Sequence, residues 1–158
     1  EYGHITEDPQ IRIKMMDKRM SRLDLALESI PVDQQTVSFE VHDYTIISWG
    51  STKGPIIDAQ AMLKREGIDI GFVQIKLLHP FPTEYVKSLL KDAKVLIDIE
   101  ANYSGQFGKI FKQNITREID YHILKYTGRG MTSTEIYDSL KKIIENKAEK
   151  REILSHGA

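Results

Sequence analysis

The chain has 158 residues, no cysteine, and 22 Lys and Arg against 23 Asp and Glu, for a net charge of −1. That length supports one domain with a sizeable core, and 41% hydrophobic with 28% charged residues is ordinary for a globular protein. The balanced charge argues against a broad nucleic-acid or anionic-membrane surface, and no apolar run nears the ~20 residues that span a bilayer. Without thiols, disulfides, zinc–thiolate sites and directly ligated iron–sulfur clusters are excluded. A cytoplasmic location is the resulting expectation. The chain begins on Glu1 inside what reads as a turn, so it is expected to be a piece of a longer polypeptide.

In chain order, Asp8-Pro9 reads as a helix N-cap followed by proline at the first helical position. Met16, Met20, Leu23, Leu27 and Ile30 then step along one helical face, opposite Lys14, Lys18, Arg19, Arg22 and Asp24, until Pro31 stops the helix. Such a stripe usually packs onto its own domain body, which is the expectation here; the sharper alternative is docking onto another domain or subunit. Thr36–Val41 alternates as a half-buried strand, and His42-Asp43 is expected to turn it into Tyr44 as an antiparallel edge hairpin.

Tyr44-Thr45-Ile46-Ile47-Ser48-Trp49 is β-branched and aromatic, as a buried strand requires. Gly50-Ser51-Thr52-Lys53-Gly54 makes a sharp turn, Pro55 suits the first turn of a helix, and Gly67 is a good stop. Ile56, Ala59 and Leu63 mark that helix's inward face. The pattern repeats through a strand at Ile70–Leu77, the stiff His79-Pro80-Phe81-Pro82 loop, a short helix with Val86, Leu89 and Leu90, and a strand at Val95–Glu100. A helix with Phe107, Ile110, Phe111, Ile115 and Ile119 leads to a last strand at His122–Tyr126. Thr132-Ser133-Thr134-Glu135 is a capping box for a final helix with Ile136, Leu140, Ile143 and Ile144 inward. Beyond Glu145 the charged run is expected to fray.

Alternating strands and helices predict a three-layer α/β domain, a mostly parallel sheet with helices on both faces and an antiparallel edge. Ligands of such sheets sit beyond the carboxyl ends of the strands, where Gly50–Gly54, Leu78–Pro82, Ala101–Gln106 and Thr127–Gly130 should gather. Ser51, Thr52, Lys53 and Gly54 precede a helix N-terminus and offer two readings, a structural turn or a phosphate or carboxylate cradle, though neither G-x-x-x-x-G-K-[ST] nor G-x-G-x-x-G is present. Glu100, Asn102, Gln106 and Arg129 read either as helix caps and interface groups or as one polar crevice. No G-x-S-x-G elbow occurs, and His4, His42, His79, His122 and His156 are scattered without metal-ligand spacing. The residues by themselves describe an α/β domain with no self-contained active site.

His4–Pro9 (HITEDP), Asp17–Arg19 (DKR), Trp49–Gly54 (WGSTKG), His79–Pro82 (HPFP) and Glu100–Gln106 (E-x-N-x-x-G-Q) occur in that order. Together they resemble the C-terminal part of the α subunit of 2-oxoacid:ferredoxin oxidoreductases, archaeal members in particular. The resemblance implies a linker and connecting helix over 1–31, a transketolase C-terminal-like domain over 32–147 and a tail over 148–158. It implies a parent enzyme that converts a 2-oxoacid, coenzyme A and oxidised ferredoxin to acyl-CoA, carbon dioxide and reduced ferredoxin. Thiamine diphosphate, Mg and the iron–sulfur cluster would lie outside this segment, and its partners would be the rest of the α subunit, the β subunit and, through the complex, ferredoxin. Its own role would be structural and inactive alone. The family usually has G-R-P where this chain has Gly128-Arg129-Gly130, which loosens that loop around Arg129. Two alternatives stand beside it: a small module binding the phosphate of CoA or a nucleotide, and the C-terminal domain of a transketolase or 2-oxoacid dehydrogenase β subunit.

Overall fold

A computed structural model describes residues 3–156. Six strands form one sheet in the order β1-β3-β2-β4-β5-β6: β1 (Thr36–Ser38), β2 (Tyr44–Trp49), β3 (Gly71–Ile75), β4 (Val95–Glu100), β5 (Tyr121–Leu124) and β6 (Arg151–Ile153). All neighbours are parallel except β1, which runs antiparallel to β3. The helices are α1 (Pro9–Ser29), α2 (Val32–Gln35), α3 (Lys53–Lys64), α4 (Thr83–Leu89), α5 (Gln106–Asn114) and α6 (Ser133–Ile144).

Alternation along the strands builds the core. Ile46, Phe72, Ile97, Ile99 and Ile123 face one layer, where Ile56, Ala59 and Leu63 of α3 meet Ile136, Leu140 and Ile143 of α6. Ile47, Val73, Ile75 and Leu96 face the other, against Val86 of α4 and Phe107 and Phe111 of α5. Phe81, held between two prolines, turns its ring inward, edge-on to Phe111 at 6.5 Å. Gly67 closes α3 at φ +77°, with Ile68 N–H donating to Leu63 O and Gly67 N–H to Lys64 O.

Three expectations are corrected. The antiparallel edge exists, but β1 pairs with β3, Thr36 opposite Ile75, and makes no hairpin with β2. Both sides of β2 are taken by parallel neighbours, and Glu40 at φ +71° turns the chain away from a hairpin. The run beyond Glu145 does not simply fray: β6 pairs with β5, Leu154 N–H donates to Leu124 O at 2.8 Å, and Leu154 is buried. The last strand is therefore β6 rather than β5.

The third correction concerns α1. Its N-cap is as expected, Asp8 Oδ1 accepting from the amides of Gln10 and Ile11. Its apolar stripe, however, is covered only at one end: Leu23, Leu27 and Ile30 are half-buried, with the Gln35 side chain donating to Leu27 O and Ile30 O, while Met16 and Met20 stay exposed. No residue of the helix is buried, and Ile13 and Met20 are 54% and 55% exposed.

The chain leaves β2 through α3 to β3 on one side, then crosses back through α4 to β4 on the other. The sheet's topological switch point is thus the gap between the carboxyl ends of β2 and β4, where open α/β sheets hold ligands.

Candidate functional site

Residues at the ends of β2 and β4 meet at this switch point. Trp49, Gly50 and Ser51 on one side and Ala101, Asn102 and Gln106 on the other line a cavity of about 260 Å³. Sequence reasoning placed Gly50, Ser51, Asn102 and Gln106 here, and the structure brings those four together. Glu100 lies behind them, bonded to Asn102, and Thr52, Lys53, Gly54 and Arg129 are not brought in. The Thr52 hydroxyl is buried, 2.6 Å from Ser48 Oγ and 3.1 Å from Trp49 O, while Ser48 also donates to Ile99 O. The Lys53 ammonium sits over the Phe39 ring, 5.1 Å from its centroid, on the β1 side. Gly54 lies within α3, and Arg129 is exposed on the loop after β5. With one hydroxyl turned inward and one ammonium drawn to an aromatic face, neither Thr52 nor Lys53 lines the switch-point cavity.

Glu100 is 1% exposed and faces the N-terminus of α5. Its Oε2 accepts from Phe107 N–H at 3.0 Å and from the Asn102 side-chain amide, and its Oε1 accepts from Gly108 N–H at 3.2 Å. Asn102 Oδ1 accepts from the amides of Gly105 and Gln106 at 2.8 and 3.2 Å. The amides at the start of α5 are therefore satisfied by the chain's own side chains, and the helix end is not a vacant anion site. The E-x-N-x-x-G-Q spacing fits this cap: strand end, Asx turn, left-handed Gly105 at φ +62°, helix.

Beneath this cap lies a cluster that the sequence reading did not single out. Asp98 is fully buried in β4, with Oδ2 2.9 Å from His122 Nδ1 on β5. Burial pushes its carboxyl well above the ordinary range, and the hydrogen bond to Glu100 and that group's charge push it further. For Glu100, burial raises the pKa, but the hydrogen bonds from Asp98, the Phe107 and Gly108 amides and Asn102 outweigh it, and the net is lowered. The two carboxyls are thus shifted in opposite directions, Asp98 up and Glu100 down. The signal for it was a carboxylate inside the run Val95-Leu96-Ile97-Asp98-Ile99, where a buried strand has no water to solvate it.

A second buried ionic group also escaped the sequence reading. Lys125, 2% exposed, holds Glu135 Oε1 and Oε2 at 2.9 and 2.7 Å and donates to His156 O at 2.6 Å. Glu135 closes the expected capping box with Thr132. Among the described residues no group of three His, Cys, Asp or Glu could hold a metal ion. The arrangement caps the N-termini of α5 and α6 and joins β4 to β5 through Asp98 and His122.

The family described as pyruvate:ferredoxin oxidoreductase core domain II matches residues 42–137. A 2-oxoacid:ferredoxin oxidoreductase subunit alpha from Saccharolobus solfataricus is 38% identical over the whole of this chain, which covers 25% of that protein. The chain thus spans about a quarter of the length of the curated relatives it matches. Among solved structures, a 2-oxoglutarate:ferredoxin oxidoreductase from Magnetococcus marinus, with 2-oxoglutarate, coenzyme A and succinyl-CoA bound, matches 91% of this chain and 25% of its own, at 26% identity and a TM-score of 0.76. A split-gene transketolase, 17% identical with a TM-score of 0.54 over 73% of this chain and 43% of its own, shares the fold.

Proposed function

We infer a role for this chain from its family: it belongs to the pyruvate:ferredoxin oxidoreductase core domain II family, and it serves as a structural and subunit-contact domain of a 2-oxoacid:ferredoxin oxidoreductase α subunit. The observation that carries this reading is α1. A helix of 21 residues with no buried side chain and exposed Ile13, Met16, Met20 and Leu25 is only partly covered, at its C-terminal end, by the domain below it. It is built to be covered by other protein. On this reading residues 1–31 connect a preceding domain, the α/β body follows from 32, and the covering protein is the rest of the α subunit.

The parent reaction is the coenzyme A-dependent oxidative decarboxylation of a 2-oxoacid, with ferredoxin as electron acceptor, in the cytoplasm. Thiamine diphosphate, Mg and an iron–sulfur cluster belong to other parts of that enzyme. For the iron–sulfur cluster this follows from a chain without cysteine; for thiamine diphosphate and Mg it rests on the family resemblance. Ser51, Asn102 and Gln106, at the rim of the switch-point cavity beside Trp49, contribute polar contacts to the same assembly.

The test is Met16→Glu with Met20→Glu, made both in the isolated chain and in the assembled enzyme. In the isolated chain the melting point should stay within about 2 °C, as surface substitutions do. In the enzyme, assembly on a sizing column and turnover should both be lost. Unfolding of the isolated chain, or an unaffected assembly, would refute the reading.

A further inference from the structure

A second cavity, of about 180 Å³, lies away from the switch point, between α5 and the β5–β6 edge. Its walls carry Lys109, Lys112, Glu118, His122 and Arg151, with Gly108 at the back. Lys112 is neutralised by Glu118 at 2.5 Å. The Lys109 ammonium has no partner among the described residues, and Arg151 forms no ion pair there. The Arg151 guanidinium is nevertheless held in place, lying 5.4 Å from the Tyr103 ring centroid and donating one N–H to Tyr103 O. That leaves its remaining N–H groups for a ligand. The cavity therefore presents two uncompensated positive charges, one of them on a pre-positioned planar fork.

His122 adds a third group. Its Nδ1 is engaged by Asp98, so Nε2 is the ring nitrogen left to the cavity, on a side chain 32% exposed. A Cβ at residue 108 would stand 2.9 Å from His122 Cε1 and 3.3 Å from Asp98 Oδ2, so glycine there lets the ring seat against its carboxyl. The α5 amides contribute nothing, because Glu100 and Asn102 already use them.

We propose that this cavity binds a phosphate group, free or as the monoester of a small molecule, held by Lys109, Arg151 and His122. Lys109 and Arg151, neither in an ion pair among the described residues, favour an anion even with the buried Glu100 carboxylate behind His122, and a cavity of this size suits one tetrahedral group. Several charges face His122. Burial lowers its pKa, Glu100 on β4 and Glu118 raise it, and Arg151 on β6 lowers it, leaving the net below the ordinary value. A bound dianion offsets the Arg151 field, so His122 should titrate at higher pH when the site is filled.

The experiment is an amide and imidazole NMR titration of the chain with inorganic phosphate at fixed ionic strength, with glycerol 3-phosphate and acetate in parallel. Saturable shifts at Gly105, Gly108, Lys109, His122 and Arg151 are expected, with a rise in the His122 midpoint and weaker acetate binding. Tighter glycerol 3-phosphate binding would identify a monoester; equal or weaker binding would identify the free ion. Lys109→Ala, at an exposed position that leaves the fold alone, should weaken phosphate binding about tenfold, the loss of one charge-assisted contact. Shifts that never saturate, that chloride reproduces, or that survive Lys109→Ala at full affinity would overturn the proposal.

Discussion

Lys125→Met removes the cationic half of a buried pair and replaces it with a side chain of similar length. The Lys125 side chain is 1% exposed and that of Glu135 10%, so both charges are held largely away from water. Removing one partner of such a pair costs about 3–5 kcal/mol, because the other is left charged and unpaired. Glu135 is not wholly abandoned, since Thr132 N–H and Thr132 Oγ still donate to it at 3.0 Å, at the N-terminus of α6. The expected loss is therefore at the lower end, ~3 kcal/mol, which for a domain of this size lowers the melting point by about 6–12 °C. Adding Glu135→Gln, which keeps the capping box but removes the orphaned charge, should recover part of it, with a coupling of about 1–3 kcal/mol. The pH dependence has a definite sign. Burial favours the neutral Glu135 carboxyl, but the hydrogen bonds from Lys125 and Thr132 and the Lys125 charge outweigh it and hold its pKa below the ordinary 4.5. A depressed native value stabilises fully above the unfolded value and is lost as pH falls through the native one. Urea unfolding at pH 7 and in steps below pH ~4.5 should show the gap between the two chains narrowing on acidification. A gap under about 0.5 kcal/mol at pH 7, or one that widens in acid, would refute the reasoning.

Two glycines should respond very differently. Gly71→Ala would place a Cβ 2.6 Å from Thr45 Oγ1 and 2.8 Å from both His42 N and Val41 Cα, a backbone collision expected to cost about 1–3 kcal/mol or more. Gly54→Ala in α3 meets nothing within 4 Å beyond its chain neighbours, but Pro55 follows it, and the proline Cδ crowds a Cβ on a helical residue, so the ~1 kcal/mol propensity gain should be offset and the urea midpoint should move by less than about 0.5 kcal/mol; a loss as large as that of Gly71→Ala would contradict this. Ser48→Ala removes the hydroxyl joining Thr52 to Ile99 O and should cost about 1–2 kcal/mol, while an unchanged midpoint would show that the inward turn of Thr52 is incidental.

What could be read from the residues was what depends on local spacing. The periodicity of Ile56, Ala59 and Leu63, the Thr132–Glu135 box and the run Val95–Glu100 fix element type within a dozen residues, and each stands in the structure. The parts that were misread depend on distant partners. A tight turn at His42-Asp43 favours a hairpin when only neighbours are weighed, yet β1 pairs with β3 because β2 is more fully satisfied between two parallel strands. Strand β6 has only three residues in a charged stretch, and nothing in their spacing reveals that Lys142 will reach Glu152 at 2.5 Å or that Leu154 will be buried. At the candidate site the residue types were legible but their directions were not. Thr52 and Lys53 have the chemistry of an anion cradle, and only the fold shows one hydroxyl bonded inward and one ammonium drawn to Phe39. Asp98 was visible as a carboxylate in an apolar run; its need for His122, 24 residues later, follows from the register that sets β4 beside β5. The same logic applies to α1. Its Met and Leu spacing is that of a helix with something to pack against, and the sheet beneath is already closed by α3, α4, α5 and α6. The stripe is half-covered at Leu23, Leu27 and Ile30 and open at Met16 and Met20, so the local spacing gave the helix and its face but not how much of that face the domain itself would cover.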